Sequence, residues 1–217
     1  MDADAQRKAA GERAARFVQD GMVIGYGTGR GATAALTSLA ARKVKVRGVP
    51  TSERTAETCR ELGLALTTLD DDPKLDLVID GSDEVDPSGH LLKGGGGAHT
   101  REKLVALAAR KRIIVIEESK LVPRLGSTRG LPIEVLAFGW RSTLARVAEL
   151  LPGVVRREPW PLSDNGGVIL DAPLPAALDL RILDRALKGI AGLIDHGLFI
   201  DLAPIVVVGS ASGVAVR

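Results

Sequence analysis

Two short apolar runs, LDLVID at 75–80 and RIIVIE at 112–117, constrain the fold of this chain more than any other feature. A strand with one face in water alternates apolar and polar residues, so an almost unbroken apolar run predicts a strand covered on both faces. That is the condition of a parallel sheet with helices on either side. Helical patterns stand where the crossovers would need them. Residues 5–18 read as an amphipathic helix, and an alanine-rich helix follows a strand at 22–25 and the glycine-rich turn GYGTGRGAT. A strand at 44–49, a helix at 53–62, a strand at 64–69 and a helix at 100–110 complete the alternation. The expected class is α/β, a doubly wound, mainly parallel, Rossmann-like sheet.

The pattern changes near Gly130. A strand at 131–137, a helix at 141–151, strands at 154–157 and 167–171, a helix at 177–188 and a strand at 197–201 follow. The order β-α-β-β-α-β is the split βαβ, so a smaller ferredoxin-like α+β domain is expected over 131–201. The apolar run at 204–208 then returns to the first sheet, giving a first domain of 1–130 plus 202–217.

Charge and cysteine usage narrow the function classes. Lys and Arg number 29 against 27 Asp and Glu, too even a balance to argue for nucleic acid. No apolar run reaches the ~18 residues of a membrane helix. The charged N-terminus has no signal-peptide centre, and the single cysteine, Cys59, suits a reducing compartment, so a cytoplasmic location is expected.

Four stretches could carry chemistry. In GYGTGRGAT, alternate glycines at a helix start suit an anion, with Thr28, Gly29, Arg30 and Gly31 as the candidate contacts. A Walker A loop is excluded by the missing Gly-Lys-Ser/Thr ending. Gly27-x-Gly29-x-x-Ala32 meets a relaxed dinucleotide fingerprint, but the second strand ends in Pro50-Thr51-Ser52 where a nicotinamide site wants an acid. In DLVIDGSDEVD, Asp80 and Asp83 flank the Gly81-Ser82 turn at a strand's carboxyl end, where open α/β sheets place ligands. Turn capping is the plain alternative, although clustering Asp80, Asp83, Glu84 and Asp86 costs repulsion that capping does not require. In LLKGGGGAHTREKLVA, Thr100 is the expected N-cap, which puts Glu102 in the first helical turn, where the helix dipole keeps a carboxylate ionised as a general base requires. Gly94, Gly95 and Gly96 can turn several N–H groups toward a developing oxyanion, with Lys93 beside them. Lys120, just past the strand at 112–117, could reach a phosphate. His90, His99 and His196 have no metal-ligand spacing, so no metal is expected, and no redox cofactor is signalled. The set suits proton abstraction beside a carbonyl in a small phosphorylated molecule.

At these residues the chain resembles the ribose-5-phosphate isomerases of the A type, from its N-terminal helix to its last strand. The matching stretches are GYGTG, PTSERT, DLVIDGSDEVD, LLKGGGGAHTREKLVA, ESKLVPRLG, LPIEVL, SDNGGVILD, GLF and VVVGSASGV. The resemblance implies that Glu102 shuttles a proton between C1 and C2 of ribose 5-phosphate and ribulose 5-phosphate. It assigns Asp80, Asp83 and Lys93 to ring opening and enediolate stabilisation, and Thr28, Gly29, Gly94–Gly96 and Lys120 to substrate binding. It further implies a metal-free and cofactor-free enzyme of the pentose phosphate pathway that forms a homodimer or homotetramer. One departure stands out: after Thr28-Gly29 the family usually has Ser-Thr, and this chain has Arg30-Gly31. Arginine binds phosphate bidentately, so the site could survive with altered geometry or a shifted sugar-phosphate preference. A non-catalytic sugar-phosphate sensor is the alternative that this change motivates. Lesser departures are Glu117 for the usual aspartate and His99 for an apolar residue.

Overall fold

The computed structural model describes every residue except Trp160. Its elements run α1 (Ala3–Ala15), β1 (Val23–Tyr26), α2 (Arg30–Ala41), β2 (Arg47–Pro50), α3 (Glu53–Glu61), β3 (Ala65–Leu66) and β4 (Leu75–Asp80). Then come β5 (Glu84–Val85), β6 (Leu91–Leu92), α4 (His99–Ala108), β7 (Ala109–Glu117) and a 3-10 turn at Glu118–Lys120. The remainder is β8 (Leu131–Val135), α5 (Trp140–Leu150), β9 (Val155–Arg156), β10 (Val168–Ala172), α6 (Leu180–Lys188), β11 (Leu193–His196), β12 (Leu198–Phe199), β13 (Ile205–Ser210) and β14 (Gly213–Val216).

Internal contacts divide the chain into two compact units: Met1–Ser82 with Arg101–Lys120 and Leu202–Arg217, and Asp83–Thr100 with Leu121–Asp201. Residues 83–100 and 121–130, grouped with the first sheet on sequence grounds, therefore group with the second unit. The physical reason is strand pairing, because β6 lies between β5 and β12 in a small antiparallel sheet that sequence periodicity does not announce.

In the first unit the sheet order among the described residues is β14-β13-β7-β4-β1-β2-β3, parallel except for β14. The chain order reverses between β1 and β4, which is where doubly wound sheets open a crevice at their carboxyl ends. The core joins Ile24 and Tyr26 of β1, Leu77 and Ile79 of β4 and Ile113 and Val115 of β7 to Leu36 and Leu39 of α2. The continuous apolar runs of β4 and β7 are thus explained by cover on both faces. Helix α1 crosses α2 closely: a Cβ on Gly11 would stand 2.7 Å from the Ala34 carbonyl carbon.

In the second unit β8, α5, β9, β10, α6 and β11 follow the split βαβ order, and the antiparallel sheet runs β11-β8-β10-β9. Leu131, Ile133 and Val135 of β8 pack with Val147 of α5 and Leu183 and Leu187 of α6. Helix α6 starts at Leu180, later than the periodicity suggests, because the Asp179 side chain accepts the N–H groups of Arg181 (2.8 Å) and Ile182 (3.1 Å). Such a cap stabilises a helix by ~1 kcal/mol. The strand expected at 197–201 is only β12 at Leu198–Phe199, in the small sheet, and the last strand of the split βαβ is β11, just before it at Leu193–His196. No helix among the described residues is long and apolar enough to cross a membrane.

Candidate active site

In the first unit the chemistry gathers where β1 and β4 end side by side. Their register pairs Tyr26 with Ile79, so Gly27 and Thr28 leave β1 beside Asp80, the last residue of β4. Gly27 N–H donates to the Ile79 carbonyl at 2.9 Å. Asp80 Oδ1 accepts the N–H groups of Thr28 (3.1 Å) and Gly81 (2.7 Å), and it would stand 2.4 Å from a Cβ at position 27. Glycine at 27 is therefore set by the carboxylate. Asp80 is buried.

Thr28 is held a second time by a hydroxyl relay that joins the ends of β1 and β2 to the start of α3. Its Oγ1 donates to Ser52 Oγ (2.8 Å), which donates to Thr55 Oγ1 (3.0 Å), which donates to the Gly27 carbonyl (3.3 Å). Thr51 Oγ1 lies 2.8 Å from Thr28 Oγ1 and donates to the Tyr26 carbonyl at 3.2 Å. Ser52 also caps α3 by accepting Thr55 N–H at 3.0 Å. The sequence holds this relay as PTSERT, a stretch to which pattern alone gives no role.

Beyond the turn lies a cavity of about 380 Å³ whose lining includes Lys8, Thr28, Gly29, Arg30 and Arg54. Gly29 adopts φ +106°, and α2 begins at Arg30 with no acid in its first turn, so its leading N–H groups and dipole favour an anion. Arg7 is committed elsewhere, to Asp4 and to Glu117 at 3.0 Å. The departure at Glu117 is thereby given a partner, since Arg7 and Glu117 are both buried. Among the described residues Lys8, Arg30 and Arg54 form no ion pair with a carboxylate. Position 31 is different: a Cβ there would meet the Val115 carbonyl oxygen at 2.3 Å, so Gly31 is required by the close passage of α2 over β7. Lys120 closes the 3-10 turn after β7 and is half-buried, apart from the residues that line the cavity.

Glu102 lies in the first turn of α4 and is only 4% exposed. Helix α4 begins at His99, so Thr100 is inside the helix and does not cap it; its hydroxyl hydrogen-bonds the buried Glu134 carboxylate. The neighbouring Arg101 donates to Glu53 at 2.8 Å, a bond that lowers the Glu53 carboxyl below its ordinary range.

The second unit carries Asp83, Lys93 and the glycines. Lys93 is buried, its Nζ 5.7 Å from the centre of the Phe199 ring. Gly94, at φ +108°, opens a tight turn closed by Gly97 N–H on the Gly94 carbonyl at 3.0 Å. Gly95 N–H donates to Asp83 Oδ2 at 2.7 Å, and a Cβ on Gly95 would strike that carboxylate. A Cβ on Gly96, by contrast, would meet nothing within 4 Å.

The acidic run 80–86 does not act as one cluster. Glu84 is fully buried and accepts the N–H groups of Gly126 (2.6 Å), Thr128 (2.5 Å) and Arg129 (3.1 Å) together with the Thr128 hydroxyl (2.6 Å). Asp86 accepts the N–H groups of Ser88 and His90, both at 2.9 Å. The repulsion expected from four adjacent acids is thus offset for these two by hydrogen bonds of their own. The structure ties Asp80 to the Thr28 turn and Asp83 to the glycine turn.

Comparison with known proteins gives a consistent result. The sequence profile of the family described as Ribose 5-phosphate isomerase A (phosphoriboisomerase A) matches residues 47–213. The chain is 45% identical to a Ribose-5-phosphate isomerase A of Caulobacter sp. (strain K31), over 99% of this chain and 98% of that one. It is 48% identical to the protein of the same description from Thermomicrobium roseum, over 94% and 92% of the two chains. A solved D-ribose-5-phosphate isomerase in complex with phospho-erythronic acid superposes with a TM-score of 0.94 at 32% identity, covering 100% of this chain and 99% of that one.

Proposed function

From the premise that the chain belongs to the ribose-5-phosphate isomerase A family, we propose that Glu102 is the base of its reaction and that Asp80, Asp83 and Lys93 act with it. The reaction itself is the interconversion of D-ribose 5-phosphate and D-ribulose 5-phosphate. In the open-chain aldose the Glu102 carboxylate takes the C2 hydrogen as a proton. The C–H electron pair becomes the C1–C2 double bond, and the carbonyl pair moves onto O1. Lys93 and the glycine N–H groups stabilise that enediolate. Glu102 returns the proton to C1, which takes up the C1–C2 double-bond pair, while the O2 proton is transferred to O1, so that O1 becomes the C1 hydroxyl and O2 the ketone oxygen. Asp80 and Asp83 serve the hydroxyl proton transfers of ring opening. A positioned base contributes ~10²–10⁴-fold to such a step, and oxyanion donors a comparable or larger factor.

Thr28, Gly29, Arg30 and Gly31 form the phosphate turn in this reading, with Gly81-Ser82, Gly94–Gly96 and Lys120 as further substrate contacts. The observation that carries it is the bond from Thr28 N–H to Asp80 Oδ1 at 3.1 Å, which couples the anion turn to a catalytic carboxylate at the switch point of the sheet. The cation-rich lining beside Arg30 supports a dianionic phosphate there, with Arg30 in place of two hydroxyls. A relative bound to phospho-erythronic acid also favours a phosphorylated ligand. Assembly as a homodimer or homotetramer fits the apolar surface left at Leu136 and Phe138, and a cytoplasmic location fits the buried thiol of Cys59.

The test is chelator-treated protein converting ribose 5-phosphate in deuterated water, alongside Glu102→Gln. The expected result is turnover with solvent deuterium entering the sugar, and a fall in kcat of ~10²–10⁴-fold in the variant. Undiminished activity in Glu102→Gln overturns the assignment of the base.

A further inference from the structure

Arg157 takes no part in the chemistry described so far, yet it grips the backbone of the glycine turn. It follows β9 directly, and its own N–H is fixed on the Ile169 carbonyl of β10 at 2.9 Å. The guanidinium then divides its donors. Nε and Nη2 form a fork on Asp171 of β10, at 2.7 and 2.5 Å, and Nη1 reaches the carbonyls of Gly94 (3.0 Å) and Gly95 (3.2 Å). Asp171 thus holds the plane of the group, and the remaining nitrogen is aimed at two successive peptides. Arg157 and Asp171 also line, with Asp83, Gly95 and Arg129, one cavity of about 250 Å³.

The consequence follows from peptide planarity. In a trans peptide the C=O and the N–H on either side of the bond point in opposite directions. Pulling the Gly94 carbonyl toward Arg157 sends the Gly95 N–H the other way, where it meets Asp83 Oδ2 at 2.7 Å. Pulling the Gly95 carbonyl toward Arg157 likewise turns the Gly96 N–H away from it. Gly96 is exposed, with open space where a Cβ would stand, and among the described residues its N–H has no acceptor. A run of four glycines has no side chains to hold such a shape, and each loses much backbone entropy on ordering.

We propose that Arg157, oriented by Asp171, is a positioning residue for the isomerisation: it sets the peptide planes of Gly94–Gly96, so that one N–H holds the Asp83 carboxylate and the next is presented to the developing enediolate oxygen. The proposal rests on the site reading given above. Lysine cannot substitute, because a single ammonium lacks the fork that serves a carboxylate and two carbonyls in fixed directions.

The test compares Arg157→Lys, Asp171→Asn and Glu102→Gln, each checked for native thermal unfolding and assayed for kcat and KM with ribose 5-phosphate. Inhibition by inorganic phosphate is measured in parallel. Misplacing a catalytic group by ~1 Å costs ~10²-fold, so kcat should fall ~10–100-fold in Arg157→Lys and less in Asp171→Asn. KM and the phosphate inhibition constant should stay within about twofold, the signature of an interaction made only in the transition state. Should the lysine variant fail to fold, Asp171→Asn carries the same test, since it leaves the arginine in place and loosens its plane. Folded variants with parental kcat, or a raised KM at constant kcat, overturn the proposal. A dead Glu102→Gln beside a normal Arg157→Lys rejects the clamp alone, and a fully active Glu102→Gln rejects the base assignment instead.

Discussion

The turn after β1 and the turn after β6 solve the same problem by opposite means. Both present backbone N–H groups to an aspartate, Thr28 and Gly81 to Asp80 and Gly95 to Asp83. The Thr28 turn is anchored by neutral hydroxyls, Thr51, Ser52 and Thr55, and opens on a cavity lined by Lys8, Arg30 and Arg54. The glycine turn is anchored by an ion pair, Arg157 with Asp171, and Gly96 is exposed with open space where a Cβ would stand. The lesson is one of charge placement. The Thr28 turn is supported by hydroxyls and the Asp80 carboxylate, and Lys8, Arg30 and Arg54 line the cavity without a carboxylate partner among the described residues. The glycine turn instead takes a cation, Arg157, into its own support.

That contrast can be broken in graded steps. The largest effect is expected from Asp80→Asn, which leaves the N–H groups of Thr28 and Gly81 facing a neutral amide. If Asp80 serves the proton transfers proposed for it, kcat should fall ~10²-fold or more, read in steady-state turnover. Next comes Arg30→Ala, which should act on KM and spare kcat. A hydrogen bond to a charged group is worth ~1.5–3 kcal/mol, so KM should rise roughly 10–150-fold, and raising ionic strength should narrow the gap to the parent. A change in kcat at constant KM would place Arg30 with the reaction and erase the distinction between the two turns.

Gly96→Ala sharpens the other side. The added methyl meets nothing in the protein and the backbone needs no positive φ there, so the melting temperature should not move. Activity should still fall by about tenfold if substrate comes against that backbone, since small misplacements cost that much and more. Thr55→Val keeps the shape of the hydroxyl relay and removes one link. It leaves the Gly27 carbonyl without its hydroxyl donor, at an expected cost of ~1–3 kcal/mol in denaturant unfolding.

The smallest effect is alkaline. Burial raises the Cys59 thiol to about 11 from an ordinary 9, and burial also raises Tyr26 in the same core. An acid whose folded value is raised is protonated in the native state while the unfolded chain has already lost its proton. Stability is therefore full below about pH 9 and declines as pH rises toward 11. Cys59→Ala should flatten part of that decline in a pH series of thermal melts and leave the rest to Tyr26.

Much of this was legible in residue order. LDLVID and RIIVIE fold as the central strands β4 and β7, and the split βαβ order of 131–201 forms its own sheet. Asp80, Glu102 and the glycine turns were visible as local patterns, a strand end, a helix start and runs of glycine. The parts that stayed hidden depend on residues far apart in the chain. Nothing local in PTSERT marks it as the anchor of Thr28, which lies 23–27 residues away. Arg157 reads as one more basic residue beside a turn until its reach of 62–63 residues to the glycines is seen. The pairing of β12 with β6, and the division of the acids between 80 and 86, were equally silent.

The sequence by itself determined the elements, their alternation and the chemistry on offer, because apolar period, turn glycines and helix-start carboxylates act through adjacent backbone. Only the tertiary structure decided which groups are free to work and which are committed to holding others. Hydrogen bonds such as those of Glu84, Arg7 and Arg157 are short in space and long in sequence, and the direction of a peptide N–H is set by whatever grips the carbonyl on its other side.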